Sequence, residues 1–323
     1  MDRPNNIEIR NNISVGYYAG RMLFSVLRWF FLLSVGFIII YPLLYMISMS
    51  IRTPADYYDV TVVWIPKHFT LQHYKMVVGK IQLWRPMISS IIIAFGSTVG
   101  QLFVGALTGY GFARFKFWGN GILFIFVIIT IMMPTQMIQI PSYITMINLD
   151  FFGLFKAILG HETGIRITDS YLAFLLPAFL GQGMRAGLLI LIFRMFFITM
   201  PVELEEAARI DGCGYLKTYF RVMLPNAKTP IFICGMFSVV WYWADYWGAF
   251  SYISSEKLKP LSVYLFNLHN LFDRYLENNQ QNNSYKMPMW NASLLFGLLP
   301  LLLVFIFAQK SFKQGLERSG IVG

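Results

Sequence analysis

A chain of 323 residues that is 56% hydrophobic, 17% aromatic and only 13% charged cannot cover a water-facing surface, since soluble domains carry about 25% charge. The same composition excludes disordered and collagen-like chains, so the surplus apolar surface must face lipid. A net charge of +10 would suggest nucleic acid in a soluble domain, but here the basic residues stand between apolar runs, as membrane-loop anchors do, and no nucleic-acid partner is expected.

Six apolar runs lie at about 29–49, 88–112, 121–146, 171–198, 230–250 and 292–309, each near the 20 residues needed to cross a bilayer. They predict an all-α membrane protein: a six-helix transmembrane domain over 29–310 between tails 1–28 and 311–323. The first run exceeds the apolar core of a signal peptide and follows a 28-residue polar segment, so it reads as a span. Ser48 and Ser50 only loosely mimic a cleavage site.

One face of this topology collects Arg3, Arg10, Arg21, Arg28, Arg114, Lys116, Arg209, Lys217, Arg221, Lys228, Lys310, Lys313 and Arg318 in short segments. The other holds Arg52, Lys67, Lys75, Lys80, Arg85, Lys156, Arg166, Lys257, Lys259, Arg274 and Lys286 over longer loops. The bias is modest and favours both termini in the cytoplasm, which an even number of spans also requires. Span two carries Gly96/Gly100 and Gly105/Gly109, small-residue pairs that let helices approach. Pro134 and Pro141 predict a kink in span three. Gly181, Gly183 and Gly187 surround Arg185 in span four and read as packing glycines. No internal repeat is visible.

Between spans four and five, at about 199–229, the chain reads Pro201-Val-Glu-Leu-Glu-Glu-Ala-Ala-Arg-Ile-Asp-Gly212. Pro201 suits a helix start, and Glu203, Glu205 and Glu206 suit the positive end of its dipole. Ala207 and Ala208 favour helix without bulk, and Gly212 can end it. A second, amphipathic helix is predicted with Tyr215, Leu216, Tyr219, Phe220 and Met223 on one face and Lys217, Thr218 and Arg221 on the other, stopped by Pro225. Three carboxylates fit poorly against anionic lipid, which favours a protein partner.

Glu206-Ala207-Ala208, then Gly212, then Val222-Met223-Leu224-Pro225 resembles the EAA loop of binding-protein-dependent ABC importer permeases. Gly109–Lys116, Phe196-Phe197 with Pro201, Trp241–Trp247 and the closing Gly315-Leu316 and Gly320–Gly323 resemble the carbohydrate branch, in the subunit type represented by the second maltose permease. Ala244 departs from the usual Asn, and the external loop at about 251–289 looks extended, with a polar run at 278–283.

The resemblance implies a six-helix permease with a helix-turn-helix coupling loop, forming half of a path for a sugar or oligosaccharide. It implies a second permease, usually different from this chain, two ATPase subunits carrying ATP and Mg, and an extracytoplasmic solute-binding protein. Glu206, Ala207, Ala208, Arg209, Gly212, Leu224 and Pro225 would couple to the ATPase, and the loop at 251–289, with Tyr252, Tyr264, Phe266 and Phe272, would touch the binding protein or its sugar. This chain has no G-x-x-x-x-G-K-[ST] loop, so it is expected to bind no cofactor and to be no enzyme. Neither a catalytic triad nor a metal cluster stands out, with His68, His73, His161 and His269 in external loops and Cys213 and Cys234 too few for a framework.

Arg185, Trp243 and Asp245 are the candidates for the path. Arg185 lies nine residues before Arg194, about 13 Å along a helix, and so near mid-bilayer. Two readings stand: a pair with Asp245, or a hold on a sugar hydroxyl or carboxylate, which would make the cargo an acidic saccharide. An importer for a non-sugar solute, an ion-coupled secondary transporter and a membrane scaffold remain alternatives, although Asp245 alone is a thin supply of intramembrane acid for ion coupling.

Overall fold

The computed structural model describes residues 6–79, 82–150, 153, 157, 158, 160, 164–278 and 285–320, with side chains from Gly20 to Gln309. His161, Lys156, Lys80, most of the polar run at 278–283 and the closing 321–323 lie outside the described residues or side chains. All regular structure among the described residues is helical, with two isolated bridges, Arg52 with Phe69 and Leu149 with Ile165. In chain order the helices are α1 (Asn6–Ser50), α2 (Pro54–Tyr58), α3 (Gln72–Gly79), α4 (Trp84–Arg114), α5 (Asn120–Met132), α6 (Thr135–Ile147), α7 (Leu172–Phe179), α8 (Ala186–Thr199) and α9 (Glu203–Ile210). Then come α10 (Tyr215–Thr218), α11 (Lys228–Ala244), α12 (Trp247–Tyr252), α13 (Leu261–Phe266), α14 (Leu268–Asn278) and α15 (Lys286–Gly320).

The chain forms two compact units, Met1–Lys75 with Gln281–Leu295, and Met76–Gln280 with Phe296–Gly323. In the first, α1 extends back through the predicted tail to Asn6. Its apolar side chains are bare: Phe30 is 70% exposed and Ile39 71%. Such a helix needs lipid or another chain against it. The loop after it is organised by buried Arg52, whose Nη1 donates to Val62 O (2.8 Å) and whose Nη2 donates to Ser48 Oγ (2.9 Å). His73 is fully buried and its Nε2 donates to Arg52 O at 2.7 Å, so this histidine is a strut of the loop. Burial alone would raise the Asp56 carboxyl, but donors from the His68 backbone and ring outweigh it and hold the group below its ordinary 3.8.

In the second unit α4 is the central strut, packed by α7, α8 and α11. Both glycine pairs sit at close approaches. A Cβ on Gly100 would meet the Phe179 ring, and one on Gly109 would stand 2.6 Å from Phe193 Cβ and 2.9 Å from Arg194 N. The core at this end joins Ala106 and Tyr110 of α4 to Leu189, Phe193 and Phe197 of α8 and to Tyr219, Met223 and Cys234 beyond.

Three predicted spans are broken. Span three divides at Met133-Pro134 into α5 and α6, which meet at 106°, far beyond a kink. Pro134 lacks a donor and drives Met133 into extended backbone (φ −71, ψ 126), so neither helix can run on; Pro141 stays inside α6. Span four divides over 180–185, where Gly181 takes φ +77 and Arg185 φ +53. Gly181 is therefore a helix end, whereas Gly187 is a packing glycine whose Cβ would strike Thr130 and Val127 O of α5. Span five stops at Ala244, and Asp245 accepts the Gly248 N–H at 3.0 Å to start α12.

Among the described residues three helices are long and apolar enough to cross a membrane: Gly20–Ser50, Trp84–Arg114 and Lys286–Gln309. Three bent pairs also qualify when each is taken as one span, giving up to six crossings. The described residues of the expected external loop are largely helical: α13 and α14 lie within it, with Leu268, Phe272 and Leu276 buried on one face of α14. Phe272 is thus a core residue, while Phe266 remains 67% exposed. Asp169 holds the turn before α13 by accepting the Ser254 and Ser255 backbone N–H groups, and those donors lower its carboxyl below 3.8.

Candidate functional site

The 199–229 segment has the predicted form of helix, glycine and helix. After Pro201, α9 carries Glu203, Glu205 and Glu206 in its first turn. The helix closes with a tight double bond: Gly212 N donates to Arg209 O (3.0 Å) and Cys213 N to Ala208 O (2.9 Å). This closure needs a left-handed residue after the helix, and Gly212 supplies φ +77.

Its two faces differ. Glu205 and Ala208 turn inward, 3% and 5% exposed. Glu205 Oε1 lies 2.9 Å from Arg114 Nε at the end of α4, with Arg209 Nη2 3.7 Å from its other oxygen. The Arg114 Nε–H is not directed along that contact, so it is an ion pair and not a hydrogen bond; Arg114 Nη2 donates instead to Met200 O at 2.6 Å. One arginine therefore fixes both the lead into α9 and its inward carboxylate. Glu206, Ala207 and Arg209 face out, and Ile210 is 87% exposed beside Asp211 and Gly212. The outer surface combines small residues, one large apolar side chain and carboxylates, a shape suited to a cleft in another protein.

The second helix corrects the predicted amphipathic face. Tyr219 and Met223 are buried, but so is Thr218, whereas Tyr215, Leu216 and Phe220 are exposed. Tyr215, Leu216 and Thr218 depart from the expected face within α10, and a wide π-helical turn at Tyr219–Met223 then follows. Tyr219 stacks near Tyr110 with centroids 5.1 Å apart, and burial pushes its phenol up to about 12. Half-buried Leu224 and exposed Pro225 form the next short turn, and the chain then bends by 77° into α11.

The other candidates are not gathered in one place. Trp243 is buried and its Nε1 donates to Gly297 O at 3.2 Å, a packing contact with α15. Asp245 serves the break between α11 and α12. Arg185 lies in the break between α7 and α8, exposed, with its guanidinium 4.9 Å over the Trp241 ring. Among the described residues it makes no ion pair with Asp245. A charge at the centre of a membrane helix costs about 2.5–3.5 kcal/mol on the insertion scale, so this side chain must meet water, a ligand or another chain.

Sequence reasoning missed a polar network that holds this break. Thr98 Oγ1 donates to Ser238 Oγ (2.9 Å), and Ser238 Oγ donates to Gln101 Oε1 (2.8 Å). Gln101 Nε2 donates to Met184 O, and Met184 N–H donates to the Tyr242 hydroxyl at 3.0 Å. Isolated polar residues in apolar runs were the available signal. Among the described residues no group of His, Cys, Asp and Glu is placed to hold a metal ion.

The pattern of the family described as "Binding-protein-dependent transport system inner membrane component" matches residues 101–316. Protein LplC of Bacillus subtilis is 30% identical over 94% of this chain and 96% of its own length. A polygalacturonan/rhamnogalacturonan transport system permease of the same organism is 25% identical, covering 93% and 99%. Among solved structures, a bacterial ABC transporter involved in the import of the acidic polysaccharide alginate superposes with a TM-score of 0.73 at 20% identity, over 90% of this chain and 97% of that one.

Proposed function

The chain belongs to the binding-protein-dependent transport system inner membrane component family, and we propose that it is one permease half of an ATP-driven importer for a sugar or oligosaccharide. Membership sets aside the ion-coupled carrier and scaffold readings. The sugar assignment is supported by relatives whose names specify carbohydrate transport. In this reading a second permease completes the path, two ATPase subunits dock on the cytoplasmic side with both termini, and an external binding protein delivers the sugar.

The observation that carries the mechanism is the two-sided α9. Its outer edge, Glu206, Ala207 and Gly212, enters the ATPase, while its inner edge is tied by Glu205 and Arg114 to α4, the strut of the bundle. ATP-driven closure pulls α9, and the packed helices carry the motion as a rigid-body switch between inward and outward openings. Glu206→Lys with Ala207→Trp, and separately Gly212→Pro, should each abolish uptake and substrate-stimulated ATP hydrolysis in proteoliposomes. The purified permease should keep its unfolding midpoint in the Glu206/Ala207 variant, whose sites are exposed. Normal uptake in both variants would remove the docking role.

A further inference from the structure

Backbone leaves the helix at 180–185 inside an apolar stretch. Unwound backbone at membrane depth is tolerated only where protein buries it or a wet cavity borders it, and such breaks border the substrate in many transporters. Residue 184 is fixed from two sides: Gln101 of α4 holds its carbonyl, and the Tyr242 hydroxyl of α11 holds its N–H. Arg185 follows directly with φ +53, a conformation rare for side chains of its kind. The direction of its side chain is therefore set by pinned backbone.

Its guanidinium lies over the Trp241 ring, and Trp241 in turn is stacked on Phe237, one turn back in α11, at 5.6 Å and 16°. Cation–π attraction to the ring holds the guanidinium without consuming its N–H donors. Arg185 is exposed, and its donors have no carboxylate partner among the described residues. Asp245, the acid nearest in chain position to Trp241, is engaged with the Gly248 N–H. A guanidinium held in place with its fork of donors unclaimed can take a carboxylate through two parallel hydrogen bonds.

We propose that Arg185 contacts the carboxylate of an acidic saccharide, and that Trp241, backed by Phe237, is the positioning residue that holds the guanidinium. This rests on the sugar-importer reading and narrows its substrate class. The test uses the full assembly with its binding protein in proteoliposomes, supplied with trigalacturonate or with its methyl ester, which has the same sugar skeleton without charge. Arg185→Gln should lower uptake of the acid at least tenfold and change uptake of the ester less than twofold. Arg185→Lys, which keeps the charge but not the fork, should lie between. Trp241→Leu should raise KM for the acid without lowering the maximal rate for the ester, and Trp241→Phe should restore the acid KM in large part.

Equal loss of acid and ester in Arg185→Gln, or no loss of either, overturns the proposal. If Arg185→Gln does not assemble, Arg185→Lys decides: an unchanged ratio of acid to ester uptake overturns it. Wild-type uptake of the ester but not the acid also refutes this site alone. Wild-type uptake of no saccharide across a neutral and acidic panel refutes the sugar-importer reading itself.

Discussion

Glu205→Ala is expected to lower the unfolding free energy of the chain in detergent by about 3–5 kcal/mol, the usual result of removing one partner from a buried ion pair. Arg114 and Glu205 have side chains only 10% and 4% exposed. Without Glu205 the guanidinium keeps the Met200 carbonyl but loses its counter-charge. Arg209, 52% exposed and 3.7 Å from the carboxylate, is itself a cation and cannot replace the lost counter-charge. Replacing both partners, Arg114→Met with Glu205→Leu, should recover most of the stability, because two apolar groups of similar volume leave no orphan charge. The recovered double variant should still fail in transport if this pair ties α9 to α4. A denaturant series on the wild type and the two variants checks this, and a double variant no more stable than the single one would contradict it.

Gly109→Ala should destabilise the chain by about 1–3 kcal/mol, the cost of overpacking a close contact, while Gly111→Ala two residues on should be neutral or stabilising by up to about 1 kcal/mol. The two sites share a helix and differ in what a methyl group would meet. At Gly109 it would meet Phe193 Cβ, Arg194 N and Ile190 O, two of them backbone atoms that cannot rotate aside, so α4 and α8 must part. At Gly111 nothing lies within 4 Å. Thermal unfolding of the two variants separates these outcomes, and equal midpoints would show that α4 and α8 do not meet as described.

The loop was the most legible part of the sequence because its signals are local. Pro201, three early carboxylates and Gly212 each act within a turn of themselves, and the helix they predict at Glu203–Ile210 is present. Glycine pairs in span two were equally plain, since contact between helices at mid-span needs small residues wherever the partner comes from. What a one-dimensional reading could not reach was anything that depends on a distant partner. Glu205 and Glu206 look alike in sequence; only the arrival of Arg114 makes one inward and the other outward. The breaks at 180–185 and 245–246 were hidden in apolar runs because hydropathy is blind to backbone, and the side chains that satisfy the first, Gln101 as donor and Tyr242 as acceptor, come from other helices. In the second helix a regular 3.6-residue period placed Tyr219 and Met223 correctly but not Tyr215, Leu216, Thr218 or Phe220, whose burial depends on what packs against the segment.

The claim that α9 is the lever between the ATPase and the bundle is tested most directly by cross-linking. Ala207→Cys places a thiol at the centre of the exposed edge, and Cys213→Ser removes the partly exposed native thiol nearby, while Cys234 is buried. In native membranes a short bifunctional reagent should join Ala207→Cys to the ATPase subunit. The link should stop uptake, and reductive cleavage of the reagent should restore it. A thiol at 207 that is labelled readily yet never joins the ATPase, or a linked complex that transports at the normal rate, would contradict the account.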